Sequence, residues 1–286
     1  MRAKLLPFAV AALLLLAGCG DGDDDPTVTQ ETPGALASLL PQDVRDRGYL
    51  VVGSDIAYPP VEFFDTDGKT AMGIDPDLAK AIGEQLGVEL RFTNATFDGL
   101  ITSLKSKRID LIMSAMSDTA ERQKEIDFVD YFNVGTSIIV KKGNPEGIQS
   151  LDDFCGKKIA LQRGTTQDDV AEEQKKKCGA KGLTILKFDT DPEALLQVKQ
   201  GRAVADMNDF PVAAYTASKS ADFEVVGEQI GAGPYGIGLR KADTQLRDAI
   251  QKAVQALIDD GTYQDVLEKW DVTDGAVETA TINGGS

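Results

Sequence analysis

The sequence contains no histidine. That absence excludes His general bases, catalytic triads built on His and most zinc sites, while leaving carboxylate and lysine chemistry open. It also lacks a basic tract. The formal net charge of −16 makes the chain one that a polyanion repels, so nucleic acid is not an expected partner. No apolar run approaches the roughly 20 residues needed to span a bilayer. Cysteine is scarce, with three residues in 286. Nothing in the chain calls for a metal or a cofactor, and none is expected.

What is present suits a large soluble body. The length fits two domains of ordinary size, and a hydrophobic content of 42% against 27% charged residues is that of a globular chain, for which acidity reads as solubility. Ahead of it stand Arg2 and Lys4, followed by an apolar run over residues 5–16 broken only by Pro7. Such a run is the length of a signal-peptide core. The next residues, Leu16-Ala17-Gly18-Cys19, look like a bacterial lipobox, in which cleavage precedes the cysteine and that cysteine is diacylated; an ordinary signal peptide with an incidental Cys is the plainer reading. The expectation is a signal peptide over 1–18, then a lipidated Cys19 and a disordered acidic tether over 19–44, since residues 20–34 are polar and carry Pro26 and Pro33. Two cysteines remain. In an exported protein Cys155 and Cys178 suggest a disulfide closing a loop of about 24 residues, worth roughly 3 kcal/mol, with two buried thiols as the alternative.

The body alternates strands and helices. Strands are expected over 49–53, 88–92, 109–113, 158–162, 203–207 and 235–239. Helices are expected over 76–86, 97–106, 244–259 and 263–270, with another beginning near Gln167 and a capping box at Asp118 and Glu121. Residues 272–286 are polar and read as a loose tail. The alternation predicts α/β layers around a largely parallel sheet. Residues 96–115 also align without gaps on 190–209: Thr96 matches Thr190, Lys105 matches Lys199, Arg108 matches Arg202 and Met113 matches Met207. Two related units, each running helix, turn, strand, would place Ser114 and Asn208 at equivalent strand ends. Ligands of open α/β sheets bind beyond such ends.

Four segments carry a resemblance. They are Gly73-Ile74-Asp75-Pro76-Asp77-Leu78-Ala79-Lys80-Ala81-Ile82; Asp55-Ile56-Ala57-Tyr58-Pro59-Pro60-Val61-Glu62; Phe97-Asp98-Gly99-Leu100 through Ser114-Ala115-Met116-Ser117 to Glu121-Arg122; and Leu161-Gln162-Arg163-Gly164-Thr165-Thr166-Gln167 with Asn208-Asp209-Phe210-Pro211. Together, over about residues 45–271, they resemble the polar amino-acid binding proteins that serve ABC importers, solute-binding family 3. The resemblance implies a two-lobed periplasmic-binding-protein-like (type II) α/β fold, each lobe a mixed, mostly parallel sheet flanked by helices, joined by two crossing hinge strands near 134–138 and 231–236. Lobe 1 would comprise 45–134 and 233–271, and lobe 2 would comprise 135–232. It implies a monomer that binds a free amino acid, closes around it and hands it to permease and ATPase subunits. The protein would be exported to the periplasm or the outer face of the cytoplasmic membrane, touching that membrane through its lipid anchor only.

The chemistry of a free amino acid explains the residue types independently. Its carboxylate and ammonium are desolvated on closure and each needs a partner. Arg122 can take the carboxylate through two parallel hydrogen bonds, helped by donors around Ser114, Ala115 and Ser117. Thr166, at a helix N-terminus, would grip the same group from the other lobe. Asp209 would take the ammonium. Asp55, with Tyr58 and Phe97 as aromatic walls, would read the side chain, and Gln162 and Asn208 would add polar contacts. Each position also has a plain structural reading: a surface Arg, N-caps for Thr166 and Asp209, a turn for Asp55, core packing for the rings. Basic amino acids and glutamine lead, with glutamate or aspartate next, because an Arg163 entering the cleft would favour an acidic ligand. Two other uses of the fold stay open: an exported lyase, for which Asp55 or Lys141 would supply the base, and a sensor acting through a partner receptor.

Overall fold

The computed structural model describes residues 34–286; the candidate signal peptide, Cys19 and most of the proposed tether lie outside them. Helix α1 (Gln42–Arg47) leads into β1 (Tyr49–Ser54), and the short strands β2 (Ala57–Tyr58), β3 (Glu62–Phe64) and β4 (Ala71–Met72) form a small antiparallel sheet of their own. Helix α2 (Ile74–Leu86) buries Ile74, Leu78, Ala81, Ile82 and Leu86, the stripe expected of an amphipathic helix, and stops at Gly87 in the left-handed conformation. Its start is fixed by a close approach: a Cβ on Gly73 would stand 2.2 Å from the Val61 carbonyl oxygen. Then follow β5 (Glu89–Asn94), α3 (Leu100–Lys105), β6 (Leu111–Ile112), β7 (Ile126–Lys141), β8 (Lys158–Gln162), α4 (Thr166–Cys178), β9 (Thr184–Phe188), α5 (Asp191–Lys199), β10 (Ala205–Asp209), α6 (Phe210–Lys219), β11 (Phe223–Arg240), α7 (Thr244–Asp260) and α8 (Thr262–Lys269).

Eight strands join in the order β5-β1-β6-β11-β7-β10-β8-β9. β5, β1 and β6 run parallel on one side, β10, β8 and β9 run parallel on the other, and the antiparallel pair β11–β7 runs between them. At 16 and 18 residues, these two strands are far longer than the usual five or six and cross from one half to the other. Their pairing shifts register between Val226 and Ile230, Ile230 and Ala232, and Tyr235 and Gly236, and residues 227–229 and 231–232 are exposed, so the crossing is irregular and lies outside either core. The flanking apolar side chains separate accordingly. One group gathers Leu50, Leu78, Tyr131, Ile237, Ile250 and Leu267, and another Ile138, Phe154, Ile159, Leu161 and Met207. This is the two-lobed α/β architecture, with parallel strands in each lobe and two crossing strands.

The internal repeat corresponds to real units. A helical segment before β6 and α5 before β10 each deliver a strand parallel to its neighbour, β1 in one half and β8 in the other. The first helix is broken: residues Phe97–Gly99 are 3-10 and only Leu100–Lys105 are α-helical. Cys155 and Cys178 form the expected disulfide.

Three expectations are corrected. Residues 34–44 are not tether: Gly34 donates to the Glu84 carbonyl, Ala37–Leu39 make a 3-10 turn, and Leu40 and Val44 are buried. Their apolar side chains (Leu36, Leu39, Leu40, Val44) pack on the core that α2 and α7 share. Nor are residues 272–286 loose. Ile282 bridges Val129, the Asn283 side chain accepts the Phe128 N–H at 2.8 Å, Asp130 accepts from Gly284 N–H at 2.8 Å, and Asp118 accepts from Gly285 N–H at 2.9 Å. The segment is held by backbone pairing and buried carboxylates, which leave no apolar period in the sequence. The same bonds explain why no capped helix begins at Asp118: its carboxylate serves Gly285 and Gln123, and only a 3-10 turn, Arg122–Lys124, forms.

Candidate functional site

β1 and β6 end side by side in one half, β8 and β10 in the other, and the residues just beyond these ends meet. Asp55, Tyr58, Phe97, Ser114, Ala115, Gln162 and Asp209 line one small cavity together with Glu62. On the β1 side, Asp55 N–H donates to Ser114 Oγ at 2.9 Å, and that hydroxyl donates to Glu62 Oε1 at 3.2 Å. Ala115, at φ 47, turns its N–H to Asp75 Oδ2 at 3.2 Å.

The two halves are joined across the cavity. Gln162 Nε2 donates to the Asp55 carboxylate and, at 2.9 Å, to the Asp189 carbonyl. Tyr58 OH donates to Asp209 Oδ2 at 3.1 Å and accepts the Asp209 N–H at 2.8 Å. Arg122 donates through Nη1 to the Ser117 carbonyl at 2.8 Å and through Nη2 to the Gly164 carbonyl at 3.1 Å, its guanidinium 5.4 Å from the centre of the Phe97 ring. This approach needs a glycine: Gly164 sits at φ 74, and a Cβ there would lie 3.0 Å from Asp98 Cβ.

Seven of the sequence-derived site residues line the cavity, whereas Arg122, Ser117, Thr166 and Asn208 do not. Ser117 contributes its carbonyl to Arg122 rather than a side chain to the cavity. Thr166 is the first residue of α4 and does not line the cavity, its hydroxyl 3.3 Å from Gln167 Oε1. The helix-capping explanation for Thr166 falls away, because Thr165 is the N-cap and accepts the Asp168 N–H. Asp209 holds the N-cap position of α6 without making a capping bond; its carboxylate is engaged by Tyr58 and Gln167 instead. Asn208 turns to Asp191, away from the cavity. Arg163 points outward, half-exposed, with Nε 3.6 Å from Asp189, and Lys141 is exposed at the far end of β7.

Two residues were missed. Glu62 is fully buried and is paired with Tyr58 in the β2–β3 hairpin, so the alternation of a two-residue period would have put it on the same face as Tyr58. Gln167 donates to Asp209 Oδ1 at 2.8 Å and to Thr136 at 3.0 Å; a Gln one residue into a helix gives no such signal.

The electrostatics are one-sided. Burial raises Asp55 to about 6, the Gln162 hydrogen bond opposing and the charges of Glu193, Asp189 and Asp98 adding to the rise. Burial likewise lifts Asp209 to about 6 against hydrogen bonds from its neighbours. Burial carries Glu62 well above the carboxylate range, with Asp75 and Asp55 pushing the same way. Behind the cavity, burial raises Asp75 to about 7 and Asp191 to about 7. Among the groups facing this cluster the cation is Arg122, itself pulled down by burial. Such a place stabilises added positive charge.

Two lobes on crossing strands, with convergent polar groups at four strand ends, define a solute-binding protein whose ligand is small and polar. The chain belongs to the bacterial extracellular solute-binding proteins, family 3, whose pattern matches residues 50–273. It is 30% identical to the arginine-binding protein ArgT of Corynebacterium glutamicum over 96% of this chain and 93% of that one. It is 33% identical to the L-cystine-binding protein TcyJ of Escherichia coli over 79% and 84%. Among solved structures, an ancestral arginine-binding protein bound to arginine is 41% identical, superposes with a TM-score of 0.73 and covers 78% of this chain and 98% of its own. The fold is that of the type II periplasmic binding proteins, and the family is one of exported binding proteins rather than enzymes.

Proposed function

We propose that this protein captures a free basic L-amino acid, arginine first, encloses it between the lobes and delivers it to the permease and ATPase subunits of an ABC importer. The observation that carries this reading is the charge of the cleft: Asp55 on one half and Asp209 on the other, with Glu62 behind, against the single guanidinium of Arg122. A basic amino acid brings two cations and one anion, and the cleft offers partners in that proportion. Arg122 receives the carboxylate, assisted by the backbone N–H of Thr166 at the start of α4. Asp209 receives the ammonium, and Asp55 with Gln162 receives the side-chain cation between Tyr58 and Phe97. Arg163, the one feature that favoured glutamate, is directed outward onto Asp189. The arginine-binding relative and the arginine-bound structure support arginine over glutamine.

Closure is a rotation about the crossing strands. Lobe 1 is taken as 45–134 with 233–271, extended by the ordered segments 34–44 and 272–286, and lobe 2 as 135–232. Cys19 anchors the protein by diacylation, so the captured amino acid is released beside the importer. The test is calorimetric titration of the twenty amino acids into protein lacking residues 1–19, refolded to strip carried-over ligand. Arginine is expected to bind at micromolar Kd or tighter, about −8 kcal/mol. Glutamate binding best, or no amino acid binding, overturns the assignment.

A further inference from the structure

The β2–β3 hairpin touches the end of β10 and the helix that follows it, α6, one contact each. Inside the cleft Tyr58 bonds to Asp209, the residue that precedes α6. Outside it, the Phe63 ring lies 6.4 Å from the Tyr215 ring, tilted 42°, and 5.9 Å from Trp270, nearly perpendicular at 85°. Tyr215 stands six residues beyond Asp209, about 9 Å along the helix. One hairpin therefore holds one helix by a polar contact within the site and an aromatic contact away from it. None of the three rings lines the ligand cavity. Tyr215 and Trp270 instead face a groove of about 830 Å³ that also exposes Asn133, Gly135 and Ala232 of the crossing strands. Lys219 and Lys269 cover the open sides of Tyr215 and Trp270, each 5.4 Å from a ring centre.

We propose that Tyr215, docked on Phe63, whose ring in turn packs on Trp270, is a positioning residue that sets how readily the cleft closes. The inference rests on the reading that the protein encloses its ligand by rotation about the crossing strands. Trp270 packs on the core of the β1 half, whereas α6 continues directly from β10 of the other half and meets that core through Val212. A rotation that parts Asp55 from Gln162 carries Tyr215 relative to Phe63 as well. The aromatic contact coexists with the closed cleft, so its free energy adds to that of every closed complex although it touches no ligand.

The experiment is calorimetric and stopped-flow binding of arginine to wild type, Tyr215→Ala, Tyr215→Phe and Phe63→Leu. Trp270, the single tryptophan, reports closure by fluorescence. Loss of one aromatic pair predicts affinity about 2- to 12-fold weaker in Tyr215→Ala, appearing as faster dissociation with association unchanged. Tyr215→Phe, which keeps the ring, restores the wild-type rate. If Tyr215→Ala melts well below wild type without ligand, Phe63→Leu carries the same test, since it keeps the apolar contact and removes the ring. Unchanged dissociation in both ring-removing variants, or loss that Tyr215→Phe does not rescue, overturns the proposal. Wild type that binds no amino acid overturns the underlying reading instead, so the two failures are distinct.

Discussion

Replacing Asp55 with Asn should make the unliganded protein more stable and the arginine complex much weaker. Burial raises this carboxyl from 3.8 to about 6. A raised acid means that the native state holds a proton which the unfolded chain has lost. Stability from this group is therefore fully present at low pH, declines as pH rises above 3.8, and is lost by the time pH passes about 6. At about 1.4 kcal/mol per tenfold, the ionised carboxylate costs the unliganded fold at most about 3 kcal/mol at neutral pH. Asn keeps the volume and still accepts from Gln162, so the variant should recover about 1–3 kcal/mol and melt several degrees higher at pH 7.5, with little gain at pH 4. The same substitution removes the charged acceptor for the ligand's side chain. Hydrogen bonds to charged groups contribute about 1.5–3 kcal/mol, so arginine should bind roughly 10- to 150-fold more weakly, while glutamine loses much less. The assay is thermal unfolding across pH 4–8 with and without arginine, paired with calorimetry. A variant that melts lower than wild type at pH 7.5, or one that binds arginine normally, would refute the argument that this buried charge is kept for the ligand at the expense of the fold.

The other acids of the cleft extend the pH argument. Asp209 at about 6, and Asp75 and Asp191 at about 7, are raised in the same direction, so wild type without ligand should melt higher at pH 5 than at pH 8, and saturating arginine should narrow that difference. Arg122→Ala should abolish measurable binding of every amino acid, since it strands a ligand carboxylate in a closed site at a cost of about 3–5 kcal/mol; calorimetry that finds wild-type affinity refutes the role. Replacing Cys155 and Cys178 together with Ala should lower stability by about 3 kcal/mol, the loop-closure value for a separation of 23 residues, and leave arginine affinity within about threefold; denaturant unfolding and titration check the two halves. Deleting residues 281–286 strips Asp130 and Asp118 of their terminal N–H partners and should lower the melting temperature by roughly 5–10 °C.

What could be read from the chain was what local chemistry encodes. α2 announced itself through Leu78, Ala81, Ile82 and Leu86 on one stripe with Gly87 behind them, and α7 matched its expected bounds within one residue at the C-terminal end. The length of β7 and β11 was not legible. Gly231, Gly233, Gly236 and Gly238 break any apolar run, and only pairing with β7 makes a single strand of residues whose two ends belong to different cores. The ordered ends of the body escaped for a related reason. Asn283, Gly284 and Gly285 have no side-chain pattern to show, because it is Asp127, Asp130 and Asp118, more than 150 positions earlier, that hold them.

The cleft combines both cases. Asp55, Asp209 and Arg122 stood out because a free amino acid demands such groups, and a gap of 154 positions between the first two does not matter to a ligand that touches both. Asp75 did not stand out because it lies behind the cavity, and Glu62 because its only signal is its pairing with Tyr58 in a short hairpin. Their effect is on the field: burial raises both, Asp75 to about 7, so near neutral pH an arriving cation can release a proton from Asp75. Binding of arginine at pH 7 should therefore liberate protons, and binding of glutamine should liberate fewer. Titrations in buffers of differing ionisation enthalpy measure the number directly. Zero protons for arginine would mean that these buried acids stay neutral in the complex as well as without it, and that Asp55 and Asp209 alone supply the charge the ligand meets.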